Sequence, residues 1–113
     1  MTYTIHQHQT IQVVKVENLL NEMINREILD DVQSCVEKGF NKFVVDLSGL
    51  NFMNSVGLNF LLSMMKNSKK TGGELAVANA NEQIIGLLEV TKLKNMFNLK
   101  PSVEKALQEF TSN

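Results

Sequence analysis

Several things are scarce in this sequence. Among 113 residues there is one cysteine, Cys35, and one proline, Pro101. A single cysteine excludes an intrachain disulfide. The opening MTYTIHQHQT has no basic run followed by an apolar stretch, so no secretory leader is expected and a reducing cytosol is the expected location. Neither sign of charge prevails: eleven Lys and Arg face twelve Asp and Glu, for a net charge of −1. Such a balance offers no basic footprint for a phosphate backbone and argues against direct nucleic-acid binding. Internal repeats, low-complexity tracts and Gly/Ser linkers are absent. One uncharged stretch, 19 residues between Asp46 and Lys66, approaches a membrane span in length. It carries Asn51, Asn54, Asn59, Ser48, Ser55 and Ser63, which suit hydrocarbon poorly. A buried strand, a loop and a buried helix account for it better, and no membrane insertion is expected.

What is present is the composition of an ordinary folded domain, 43% hydrophobic and 20% charged. The length suits one domain over residues 1–113, able to bury roughly two-thirds of its unfolded surface. Alternation over 2–7 and a Val-rich run over 11–17 predict two strands joined as a hairpin. Ile24, Ile28, Val32, Cys35 and Val36 recur at helical spacing over 22–38, with Gly39 as a left-handed stop. Phe43 to Val45 reads as a strand buried on both faces. Leu58, Leu61, Leu62 and Met65 form the stripe of a second helix that Ser55 or Asn54 can cap. A turn at Gly72-Gly73 precedes a strand over 75–78, and Asn81 can cap a helix through Ile84 and Leu88. Residues 95–99 suggest a last strand, and Pro101-Ser102 opens a helix with Val103, Ala106, Leu107 and Phe110 on one side. The order ββαβαβαβα predicts an α/β fold: a mostly parallel sheet of about five strands, opened by a hairpin, with about four helices.

Enzymatic signatures are missing. There is neither a GxxxxGK[ST] loop nor a GxGxxG. His6 and His8 would share one face of a strand, but two histidines on an edge are more simply solvated than metal-bound. Cys35 on an apolar stripe reads as a buried, inert thiol. The acidic helix over 22–37 reads more simply as a solvated face than as a docking face for a basic partner. The six methionines read as core filler.

The segment DLSGLNFMNSVGLNFLL, residues 46–62, stands apart. It sets Ser55 at or next to a helix N-terminus, where free N–H groups favour an anion. A phosphate there would add about −1.5 to −2 charges to a locally uncharged surface, and a docked partner would have to desolvate it or leave. The plainer reading makes Ser55 a helix cap. A second stripe, Val56, Phe60 and Met64, lies on the other side of the same helix. Exposed, it would be a docking patch beside Ser55; in a helix sandwiched between sheet and neighbour it would be buried.

This segment resembles the signature of STAS domains, and is closest to the single-domain bacterial anti-sigma factor antagonists, which read D-L-S-x-[VL]-x-[FY]-[MI]-D-S-[ST]-G-L before a long helix. Asp46, Leu47, Ser48, Leu50, Phe52, Met53, Ser55, Gly57 and Leu58 match. GGELAV at 72–77 and the stretch from Asn81 to Leu93 resemble the family's later strand and capped helix. The resemblance implies a STAS-like fold and a cytoplasmic, non-enzymatic partner-switching regulator, a monomer or weak dimer without a cofactor. It binds an anti-sigma factor that is also a serine kinase, is phosphorylated at Ser55 and released, and is reset by a phosphatase; ATP belongs to the kinase. It implies a partner-binding surface of Asn21, Asn54, Ser55, Val56, Gly57, Phe60 and Met64. Two departures stand out. Asn54 and Val56 replace the Asp and the Ser or Thr that flank the family's serine, and Asn21 falls where an acidic residue is common, after Asn18-Leu19 in place of Gly-Glu. Asn keeps the hydrogen-bonding shape of Asp without its charge. The alternative is an unphosphorylated STAS accessory subunit docked on a cytoplasmic transport or signalling complex.

Overall fold

A computed structural model describes residues 3–111. Thr2, the first residue of the expected N-terminal strand, lies outside the described residues. Strand β1 (Tyr3–His8) turns through Gln9 and Thr10 into β2 (Ile11–Val16), with Ile5 opposite Val14 and His8 opposite Ile11. Helix α1 (Glu22–Glu37) leads to β3 (Lys42–Asp46), α2 (Ser55–Lys70) to β4 (Glu74–Ala78), and α3 (Glu82–Val90) through a 3-10 turn at Lys94–Met96 to β5 (Leu99–Lys100). Helix α4 (Val103–Thr111) follows. The strand expected over 95–99 is therefore corrected: its first part coils and only Leu99 and Lys100 pair with Val77 and Ala78.

Strand order in space equals strand order in the chain, β1-β2-β3-β4-β5, antiparallel at β1/β2 and parallel thereafter. Right-handed crossovers that all step in one direction place their helices on one face. The packing agrees. Val14, Val16, Phe43, Val45 and Val77 point into a core shared with Ile28, Leu61 and Ile84 from α1, α2 and α3. The opposite faces of the same strands, Ile11, Val13, Val44, Ala76 and Ala78, pack on Ala106 and Phe110 of α4. With both faces covered, Phe43, Val44 and Val45 are all buried, the expected outcome for a central parallel strand.

The helix ends follow from their sequences. Asn21, Asn54 and Asn81 are the N-caps of α1, α2 and α3, each accepting a backbone N–H. Ser102 does the same for α4, its hydroxyl oxygen accepting from Lys105 N at 3.1 Å. At the C-terminus of α1, Gly39 N donates to Val36 O and Phe40 N to Cys35 O, with Gly39 at φ +103°. The same paired closure ends α2 at Gly72, φ +69°, and α3 at Lys92, φ +62°. A left-handed residue is required in this motif, and glycine meets it without strain. At β1, the Tyr3 hydroxyl donates to Asp31 and Glu27 of α1 and fastens the edge strand to the helix layer. The hydrogen bond to Asp31, burial and the two negative charges together hold the phenol above its ordinary pKa.

Lys92 is exposed, so replacing it tests the closure alone. Relief of a left-handed side chain is worth about 1–2 kcal/mol, against about 0.5–1 kcal/mol of added chain entropy for glycine. Lys92→Gly is expected to stabilise the fold by about 0.5–1 kcal/mol in urea unfolding; a loss of stability would refute the assignment of strain.

Candidate partner-docking site

The connection from β3 to α2 is built on a buried carboxylate. Asp46, 8% exposed at the end of β3, accepts from Ser48 N at 3.0 Å and from Asn79 Nδ2 at 2.9 Å through one oxygen, Oδ1. Asn79 sits at φ +64° in the β4–α3 connection, a conformation asparagine tolerates better than most residues. From the same connection Asn81 Nδ2 donates to Asn51 O at 3.0 Å and Leu50 O at 3.4 Å, and Gln83 Oε1 accepts from Met53 N at 3.4 Å. One side of the loop 47–54 is thus stitched to the start of α3.

Its other side is pressed against the connection from β2 to α1. A Cβ on Gly57 would stand 2.5 Å from Met53 Cγ and 3.2 Å from Leu19 Cβ, and one on Gly49 would stand 3.1 Å from Glu17 Cγ. Leu19 is in turn held by Asn25, whose Nδ2 donates to Leu19 O at 3.0 Å. Gly57 is thus a residue of close approach, where a side chain would not fit without displacing Met53.

Between the two stitched connections lies Ser55. Asn54, not Ser55, caps α2, its Oδ1 accepting from Val56 N at 3.0 Å. Ser55 is the first helical residue; it is exposed, and its hydroxyl has no hydrogen-bond partner among the described residues. No acidic residue stands in the first turn of α2. Asn21 caps α1 at the same end of the sheet, accepting from Ile24 N at 3.0 Å.

The structure divides the expected docking residues. Asn21, Asn54 and Ser55 are exposed and Val56 is half-buried, but Gly57 is buried. Phe60 and Met64, 2% and 3% exposed, lie in the core. Their expected exposure on a docking surface is corrected: α2 is sandwiched between α1 and the sheet, so of its second stripe Phe60 and Met64 are covered and only Val56 stays half-buried. Other apolar side chains are exposed instead. Phe52 in the β3–α2 loop is 51% exposed, Leu20 beside Leu19 is 44%, and Met23 in the first turn of α1 is 82%. These three carry no periodic signal, because each lies in a loop or at a helix start. The one hint is that adjacent apolar residues in a tight connection, such as Leu19 and Leu20, cannot both turn inward.

The remaining candidates lie elsewhere. His6 and His8 are exposed on β1, and no group of three His, Cys, Asp or Glu among the described residues could hold a metal ion. Cys35 is half-buried on α1. Burial pushes its thiol above the ordinary pKa, Lys38 opposing and Asp31 adding to the shift, which leaves it a poor nucleophile. No helix among the described residues is long and apolar enough to cross a membrane.

The STAS domain family model matches residues 2–106. The chain belongs to the STAS domain family. A Thermotoga neapolitana protein named as a candidate anti-sigma factor antagonist is 27% identical over 74 residues, which span 66% of each chain. The anti-sigma-B factor antagonist of Bacillus subtilis is 32% identical over 62 residues, 55% of this chain and 57% of that one. Among solved structures, the unphosphorylated anti-sigma factor antagonist SpoIIAA superposes with a TM-score of 0.81 at 14% identity, covering 98% of this chain and 97% of the other. Its phosphorylated form superposes at 0.74, again at 14% identity, covering 96% and 98%. These likenesses carry the fold, a mostly parallel five-stranded sheet with an antiparallel N-terminal hairpin and four helices.

In this STAS domain Gly57 locks the turn that presents Ser55. Gly57→Ala forces Met53, itself buried, to move, at an expected cost of about 1–3 kcal/mol. On Gly49→Ala the one tight contact is Glu17 Cγ at 3.1 Å, with Val16 O and Glu17 Cα at ordinary distances of 3.4 and 3.6 Å, and the change is expected to cost less than half as much. Thermal unfolding of the two variants, with amide chemical shifts over residues 53–58, checks both; equal losses would contradict the packing described.

Proposed function

We propose that the protein is a partner-switching anti-sigma factor antagonist. Its unmodified form binds an anti-sigma factor that is also a serine kinase, phosphorylation of Ser55 ends the complex, and a phosphatase restores it. The protein supplies a hydroxyl and a docking surface, and the kinase supplies ATP. The setting for this exchange is the cytoplasm.

The observation that carries this reading is the free hydroxyl of Ser55, exposed at the first position of α2 and relieved of capping duty by Asn54. A serine used as a cap would have to surrender its hydrogen bond to be modified; this one has none to lose. Around it the exposed side chains of Phe52, Leu20 and Met23 offer apolar area, and residues 47–65 contain no charge. A surface of that kind is stabilised by being covered. A phosphate placed within it introduces about −1.5 to −2 charges that a covering partner would have to desolvate. Membership in the STAS domain family, and relatives named as anti-sigma factor antagonists, agree with the reading.

The neutral surround is compatible with the chemistry. Asn54 holds the same capping geometry an Asp would and repels an incoming phosphate less. Modification would leave the loop in place, because none of the hydrogen bonds at Asp46 and Asn81 that anchor it uses the Ser55 hydroxyl.

Incubation with the kinase from the same genome and ATP is expected to add one phosphate, at Ser55, by mass spectrometry. Ser55→Ala should bind that kinase as the natural protein does. Ser55→Asp should bind at least about tenfold more weakly, a difference of about 1.4 kcal/mol. Undiminished binding by Ser55→Asp would overturn the switch and favour a STAS subunit that docks without modification.

A further inference from the structure

Helices α1 and α2 do not close fully on one another. Between Glu22, Asn25 and Arg26 on one side and Val56, Asn59 and Ser63 on the other runs an open furrow of about 280 Å³. Asn25, 5% exposed, forms part of its wall. The Asn25 amide nitrogen is engaged by Leu19 O, and its oxygen Oδ1 is buried without a partner. No other buried side-chain nitrogen or oxygen among the described residues is left in that state. A buried acceptor without a donor is disfavoured until water or a bound partner supplies one.

We propose that this furrow seats an extended segment of the protein that covers Ser55, recognised through its main chain, with one of its N–H groups donating to Asn25 Oδ1. The proposal rests on the docking reading above and names a second contact within it. Three observations select this occupant. The furrow begins at Val56, the residue after Ser55, so it continues the proposed docking surface. Its rim holds one acid and one base, Glu22 and Arg26, neither with an ion-pair partner among the described residues, so it is dipolar without net charge, as a peptide backbone is. Its lining sets side-chain amides from both helices, Asn25 and Asn59, beside the apolar Leu29 and Phe60, and an amide can accept from a peptide N–H and donate to a peptide carbonyl.

Length sets the size of the segment. From Glu22 to Leu29, and from Val56 to Ser63, each wall spans about 10 Å at about 1.5 Å per helical residue. At about 3.3 Å per extended residue that seats about three residues. Small side-chain shifts, common when interfaces form, bring the donor to Oδ1 below the furrow surface.

The test is a selection of peptides from a random phage library on the intact, unmodified protein. Enriched peptides are expected to lose tenfold or more in affinity on the Asn25→Leu protein. Methylating one backbone nitrogen of the peptide should have the same effect, while single alanine replacements of its side chains have less. Ser63→Phe fills the furrow from the other wall and should also abolish binding, which keeps the test decisive if Asn25→Leu folds poorly. Failure to enrich any peptide, or enriched peptides indifferent to the furrow variants, would overturn the proposal. Neither kinase nor phosphate enters this measurement. Peptide binding in the furrow beside undiminished kinase binding by Ser55→Asp refutes the switch alone, and the reverse pattern refutes the furrow alone.

Discussion

Everything at the proposed docking end of this molecule depends on a missing methyl group. Met53 and Leu19 occupy the space where a Cβ on residue 57 would stand, so the first turn of α2 lies directly on two loops. That contact draws the β2–α1 and β3–α2 connections together and leaves Ser55 at the outer side of the turn. Asp46 and Asn81 fix the far side of the same loop through hydrogen bonds to Ser48, Asn79, Leu50 and Asn51. A hydroxyl on a loose loop would be modified as readily, but its charge would have no fixed surface to disturb. In the proposed switch, rigidity beneath Ser55 couples a local change of charge to the surface as a whole.

Two departures from the family's acidic pattern acquire a common explanation. Asn21 and Asn54 are both N-caps, of α1 and α2 respectively. Capping needs a side-chain oxygen in the right place, and Asn supplies it as well as Asp does. The chain therefore keeps the geometry of both helix starts with neutral caps at the two positions where the resemblance implies an acid.

The fold was largely legible from local signals. Hairpin, crossovers and helix stops each follow from short patterns: Asn81 before an apolar stripe, Gly39 and Gly72 after one, a run such as Phe43 to Val45 bounded by polar residues. The segment that carries the proposed site was legible too, because Ser55 and Gly57 sit in a distinctive stretch. Less legible was anything decided by layers. Phe60 and Met64 looked equally suited to core or surface, since helical periodicity does not say how many neighbours a helix has. Phe52, Leu20 and Met23 carry no periodicity at all, and only the packing of Met53 and Leu19 inward leaves them outward. The stretch 95–99 misled because Met96, Phe97 and Leu99 resemble a strand, whereas only the end of it reaches the edge of β4.

The strand order also bears on how such a chain is assembled. Because spatial order repeats chain order, no strand has to insert between two that already pair, and the sheet can grow by addition at a single advancing margin. Such sequential, largely neighbouring contacts keep loop-closure entropy low. The helices on one side arrive with each addition, but the other side waits for α4. Until the nine residues of α4 have left the ribosome, Ile11, Val13, Val44, Ala76 and Ala78 face water, and that side of the sheet stays adhesive for as long as the helix is delayed.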